Sequence, residues 1–307
     1  MASAPSFFQL LTHSRGRSFF LPREHGAWGM LLVPLVTGAV AGNPRGERIV
    51  WILLFAAVAL GLFCLRTPVE AALQISPLRP QNDGERRLIY SSIFIYSSVA
   101  VLALAVLILW VHAYGLLLLG APAAIVFLLQ AILKQLGRNT RLRAEALTAS
   151  SSPALLRRAE ARLNAQLTGA IALSSTAAGA YYLATGHFGP TAVIIWLANW
   201  LFAANQIHFV RLRIHSARAL TTLEKLRHGR GFLIHQAFSL LLLGLIWQAG
   251  WLPGLILMAF GLLLVRGFVW FFESPRPLRI HRLGISELLY AIVFGVFFIA
   301  GYHYPVR

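Results

Sequence analysis

The sequence predicts an all-α polytopic integral membrane protein, a helical bundle of about nine transmembrane helices. Three observations predict it. Of the 307 residues 58% are hydrophobic and only 12% charged, and the mean hydropathy is +0.69, which is too apolar for a soluble domain of this size. The apolar residues gather into runs of the ~17 to 25 residues needed to cross about 30 Å of hydrocarbon. The basic residues, finally, segregate to alternate loops, as the positive-inside rule asks of a correct set of spans.

In chain order the runs lie near 25–42, 48–65, 88–111, 115–133, 165–185, 190–210, 232–249, 251–270 and 285–302. The first contains Pro34, which can kink it about two turns in. The stretches 88–133 and 232–270 are each too long for one crossing, so the chain reverses within both, at His112 to Tyr114 and at Ala249 to Trp251. Every Lys and Arg except Arg45, Arg48 and Arg307 then falls on one side. That side is the cytoplasm, which puts the N-terminus inside and the C-terminus outside.

This arrangement gives a short cytoplasmic arm at residues 1–22, which lacks the apolar core and small-residue cleavage site of a signal peptide. A single transmembrane domain follows at 23–307, with cytoplasmic loops near 66–87, 134–163, 211–231 and 271–284. The loop from Lys134 to Leu163 mixes Ala, Leu, Arg and Glu around Ser150-Ser151-Ser152-Pro153 and reads as two short helices joined by a capped break. The net charge of +17 belongs to these loops and reports topology, so no nucleic-acid partner is predicted. The one cysteine, Cys64, excludes an internal disulfide. There is no Gly-rich phosphate loop and no nucleophile elbow.

Polar residues collect at the predicted cytoplasmic ends of three spans. Before the first come Arg23, Glu24, His25, Gly26, Ala27 and Trp28, where the glycines permit close approach by a helix or ligand. Trp28 equally suits an interfacial anchor at a wetted helix start. After the second, Arg66, Glu70 and Gln74 share a face if the helix persists, with Pro68 able to bend it. The sixth ends with Asn199, Asn205, Gln206, His208, Arg211, Arg213 and His215. Asn205, His208, Arg211 or Leu212, and His215 recur at three- and four-residue steps and form one stripe, with Arg213 to the side. Amides within an apolar helix turn toward a neighbour or a cavity, and plain interhelical hydrogen bonding accounts for them as well as a ligand does. Arg266 and Glu287 stand at similar depths in the last two spans and can pair.

The string Arg23, His25, Gly26, Ala27, Trp28, Pro34 and Gly38 resembles the opening signature of the YwiC-like family of bacterial membrane proteins, and the Asn-, His- and Arg-rich sixth span is similar to theirs. That resemblance implies the bacterial inner membrane and carries no settled activity. As architecture, nine spans with polar ends after the second and sixth look like the UbiA superfamily of intramembrane prenyltransferases. The likeness implies an isoprenyl diphosphate held through magnesium by acidic motifs at those two ends. Here Arg66 and Glu70 stand at the first without an Asp pair, and Asn205, His208, Arg211 and His215 at the second without a carboxylate. Magnesium favours carboxylate oxygen, so it is disfavoured and no cofactor is predicted.

An anionic headgroup held directly by arginines is the expectation that follows. The candidate substrate-binding residues are Arg23, Trp28, Arg66, Glu70, Asn199, Asn205, Arg211, Arg213 and His215, and the candidate proton-moving residues are His25 and His208. The partners expected are membrane lipids and an isoprenoid or lipid-phosphate ligand, and any reaction would be a transfer to or from that lipid. A transporter or exporter of a small anion, and a membrane assembly subunit, are the alternatives, as is a His-bound transition metal at His25, His208 and His215. The topology has a direct check: reporter fusions at Ser150 and after Arg307 should report opposite sides, and the same side for both would end the nine-span count.

Overall fold

The computed structural model describes residues 20–22, 25–74, 80–122, 152–215, 221–273 and 280–304, with 124, 125, 128, 129 and 132; for 25, 152–162, 215 and 280 it describes the backbone alone. Among these residues there are nine helices and no strand. They are α1 (His25–Ala41), α2 (Glu47–Ala72), α3 (Asp83–Leu109), α4 (helical from 115 to 122 and at the described positions up to 132), α5 (Ser152–Thr185), α6 (Pro190–His215), α7 (Thr222–Gln248), α8 (Gly254–Phe272) and α9 (Ile280–His303). Six of them, α2, α3, α6, α7, α8 and α9, are long and apolar enough to cross a membrane, and α1 is a shorter apolar helix. The protein is a multi-pass membrane protein.

Each predicted span has a helix, and the differences lie at the ends. The reversals fall where the lengths require them, with His112 at φ 56° and Gly250 at φ 75° turning the chain. α7 starts at Thr222, ten residues before the predicted run, because Thr221 and Glu224 close a reciprocal capping box. α5 starts at Ser152 and runs without a break into the predicted fifth span, so the second half of the predicted loop is part of that helix. Its Ala- and Leu-rich composition continues the helix once begun. The first of the two predicted loop helices lies outside the described residues, as does the arm up to residue 19.

The chain divides into two compact units, one of Met1–Glu24 and Gly46–Ala165, the other of His25–Arg45 and Gln166–Arg307. In the first, α2 and α3 pack along each other, with Gly61 set against Ala100 and the Tyr96 carbonyl. The Tyr96 hydroxyl donates to the Phe20 carbonyl (2.9 Å). α3 is capped by Asn82, whose side chain accepts from the Glu85 amide, while the Glu85 carboxylate accepts from the Gln81 amide (both 2.7 Å). Large apolar side chains such as Phe94, Leu102 and Leu109 point outward from α3, as a lipid-facing helix requires.

The second unit is built around α6. Its residues from Leu201 to Ile207 are all buried, so this helix meets protein on every side. α9 contributes Glu287, Ala291, Phe294 and Phe298 at helical spacing, and Phe294 stacks on Phe202 of α6 with centroids 4.0 Å apart. α7 buries Lys225, Gly229, Phe232, Gln236, Ser239 and Leu243, alternating steps of four and three that make one seam. Against α8 this seam interlocks: the Phe271 ring occupies the notch at Gly229, and the Phe232 ring occupies the notch at Gly267.

α1 crosses α5 closely. A Cβ added to Gly38 would stand 2.0 Å from the Ala177 carbonyl oxygen, and one on Gly42 2.4 Å from the Ala184 Cβ. The four-residue spacing of these glycines is the small-residue pattern that lets membrane helices touch backbone to backbone. Since the obstacle at Gly38 is backbone, Gly38→Ala should force the helices apart and destabilise by about 1–3 kcal/mol or more. Gly61→Ala, whose nearest atoms lie at 3.2 Å, should be milder. Thermal unfolding of both variants in detergent checks the order.

Candidate functional site

The predicted site residues divide between the two units. In the first, Arg66 and Glu70 form an ion pair on α2 (Nε to Oε1 3.1 Å), one helical turn apart. The predicted three-member stripe stops there, because α2 ends at Ala72 and Gln74 turns to φ 54°. Glu70 thus offsets the charge that Arg66 would offer an anion. Arg23 lies outside the described residues.

In the second unit, His25 begins α1 and Trp28 is half-buried in its first turn. The side chains of His25 and of His215, the last residue of α6, are outside the described set. Asn199 is fully enclosed, with Nδ2 donating to the Ile195 carbonyl (2.9 Å) and Oδ1 accepting from the Thr37 hydroxyl (3.2 Å). It pins α6 to α1. Asn205, His208, Arg211 and Arg213 follow along the C-terminal half of α6.

Asn205 is 1% exposed, yet its Oδ1 has no hydrogen-bond partner among the described residues. His208 stacks on His235 of α7, with centroids 4.8 Å apart and planes 22° from parallel, and His235 lies 3.4 Å from the Ser239 hydroxyl. The next residue of α7, Gln236, is buried, and its Nε2 has no hydrogen-bond partner among the described residues. Arg213 reaches Glu273 at the end of α8 (3.6 Å) and lies over the Trp270 ring. Lys225, almost fully buried, donates to the carbonyls of Trp270 and Glu273 and thereby caps α8.

On the neighbouring face of α6, Gln206 donates to the Glu287 carbonyl (2.8 Å). Glu287 in turn holds Arg266: Nη1 to Oε1 is 2.7 Å, with the two side chains 9% and 6% exposed. Arg266 lies about 9 Å from the C-terminal end of α8 and Glu287 about 10 Å from the start of α9, at ~1.5 Å per residue, so the two meet at one depth. The guanidinium lies between the rings of Phe209, 4.0 Å away, and Tyr290, 4.3 Å away. Four helices therefore converge on polar groups inside an apolar frame. Lys225, His235, Gln236 and Ser239 were absent from the predicted site. The signal for two of them was available, as Gln236 and Ser239 interrupt the apolar run of α7 at its seam spacing.

Among the described residues no three His, Cys, Asp or Glu side chains come together to hold a metal ion. Glu85, two residues after the acidic Asp83, is engaged in capping α3.

Residues 21–156 match the family model of YwiC-like proteins. Over that stretch the chain is similar to YwiC-like proteins. The matched region takes in the Arg23 to Gly38 signature and the Arg66–Glu70 pair. The polar stripe of α6 lies beyond it. No curated protein and no solved structure matches the chain.

The Arg266–Glu287 pair has a measurable consequence. Removing one partner of a buried pair strands the other charge, at about 3–5 kcal/mol, whereas replacing both by apolar residues is often neutral. Glu287→Ala should therefore lower stability strongly, and Arg266→Leu combined with Glu287→Leu should recover most of the loss. Unfolding of the two variants in detergent measures the difference.

Proposed function

We propose that this YwiC-like protein sits in the bacterial inner membrane, N-terminus in the cytoplasm and C-terminus outside, and binds the headgroup of an anionic amphiphile among helices α6 to α9. An isoprenoid diphosphate or another lipid-like phosphate is the class of ligand. What carries this reading is the set of buried polar atoms that no group among the described residues satisfies, Asn205 Oδ1 and Gln236 Nε2 foremost. An unmet amide group in an apolar interior costs about 1–3 kcal/mol, a cost that a polar occupant removes.

The balance of charge supports an anion. Arg211, Arg213, Lys225 and Arg266 belong to this region, and the carboxylates paired there are Glu273 and Glu287. Lys225 is committed to carbonyls, which do not cancel its charge. Aromatic rings at Phe209, Trp270 and Tyr290 suit the apolar flank of such a ligand. Should binding lead to reaction, transfer to or from the lipid follows, with His208 as the group that moves a proton and arginines holding charge in the role that magnesium has in UbiA-type enzymes.

Lipid mass spectrometry on gently purified protein identifies the ligand and opens the test. Binding of that lipid should be indifferent to magnesium. Arg211→Ala should weaken it by about 1.5–3 kcal/mol, roughly 10- to 150-fold, and Arg211→Lys should restore only part, because an ammonium lacks the planar fork. Binding that demands magnesium and ignores Arg211 would overturn the reading.

A further inference from the structure

Arg266 carries the most specific unfilled geometry in the second unit. A guanidinium has five N–H donors in one plane, so its acceptors must come from the edges when its faces are covered. Here both faces are covered, by Phe209 and Tyr290. One edge nitrogen, Nη1, donates to Glu287 Oε1. The other two, Nε and Nη2, have no acceptor among the described residues, although the side chain is 9% exposed. Nε–H and one Nη2–H point the same way from the same edge. Two parallel donors of this kind form the fork that receives a carboxylate or phosphate through two hydrogen bonds at once.

Glu287 does not fill that fork. Its carboxylate meets Nη1 through one oxygen, and the second, Oε2, is itself buried and unpartnered among the described residues. A carboxylate engaged in a two-oxygen clasp would satisfy more of both groups. The pair instead leaves a cation half-used at a depth where unused donors are costly.

We propose that the Nε–Nη2 edge of Arg266 is the seat of a phosphate oxyanion, gripped in the plane between Phe209 and Tyr290. This rests on the proposed function and assigns the atoms that hold the headgroup, a role the sequence had given to Arg66, Arg211 and Arg213. Because Glu287 already balances Arg266, the seat favours a singly charged phosphate over a dianion. The charged groups facing Glu287 are Arg266 of α8 and Arg213 of α6, and α1, which also packs on α9, has no charged side chain among its described residues. A lipid headgroup and free phosphate present the same oxygens to the fork, so the source is settled by comparison.

The test uses full-length protein in dodecyl maltoside, a detergent without phosphate. Phosphatidic acid is titrated in one arm and inorganic phosphate in the other, with bound lipid counted by native mass spectrometry and both ligands followed by thermal shift. Arg266→Lys keeps the charge and the Glu287 partner but removes the fork, and should weaken phosphatidic acid about tenfold or more. Glu287→Gln removes the competing negative charge and should tighten binding of phosphatidic acid. Should Arg266→Lys fail to fold, Arg266→Gln with Glu287→Gln deletes fork and ion pair in neutral form and serves the same comparison. Binding unchanged by these Arg266 variants yet lost in Arg211→Ala overturns the seat and leaves the proposed function standing. Binding of inorganic phosphate alone, dependent on Arg266, keeps the seat and removes the amphiphile. Binding of neither ligand means that the edge holds only water, and both readings fall.

Discussion

The structure depends on one constraint: inside a bilayer there is no water to receive a hydrogen bond, so every polar group must find its partner within the protein. Helices meet this for the backbone, and side chains must solve it one by one. α6, enclosed along most of its length, is where the constraint bites hardest. Thr37 answers Asn199, and the Glu287 carbonyl answers Gln206. Each answer also fixes a neighbouring helix against α6. The stack of His208 on His235 adds a third tie, this one to α7. Polar residues thus organise the second unit, while the phenylalanines of α6, α8 and α9 fill what lies between them.

Much of this was legible in the sequence, and for identifiable reasons. Hydropathy and length located every helix, because apolar runs of bilayer width have few other uses. Length alone placed the turns at His112 and Gly250, where left-handed backbone appears. The Arg266–Glu287 pair could be anticipated from depth, since residues equally far from a shared loop stand level in consecutive helices. Helix ends were less legible. α5 and α7 continue past their apolar segments on Arg, Glu and Lys, residues that favour helix but carry no hydropathy signal. α2 did the reverse for the proposed stripe and ended before Gln74.

The candidate site was legible in part. Periodicity put Asn205 and His208 on one stripe, and both turn inward, Asn205 completely. It could not tell a satisfied amide from an unsatisfied one. Asn199 and Asn205 look alike in the sequence, yet one is pinned by Thr37 and the other has an oxygen with no partner among the described residues. Nor could it rank the arginines. Arg66 has Glu70 one turn away and Arg213 has Glu273, whereas Arg266 is held between two rings with one edge unmet among the described residues. That distinction belongs to the packing of α6, α8 and α9, and no single segment encodes it.

The paired notches between α7 and α8 have a mechanical meaning. Phe271 enters at Gly229 and Phe232 enters at Gly267, so each helix supplies one ring and one gap. A slide of either helix by a single residue would lift both rings out together, and an axial rotation would drive both into backbone. The two helices are in this sense keyed like a lock with two wards, which tolerates neither slippage nor half-measures. Gly267 follows Arg266 directly in the chain, so the key that sets the register of α8 also sets the height at which its guanidinium is presented to Glu287. The smallest residues of these helices thereby place their largest charge.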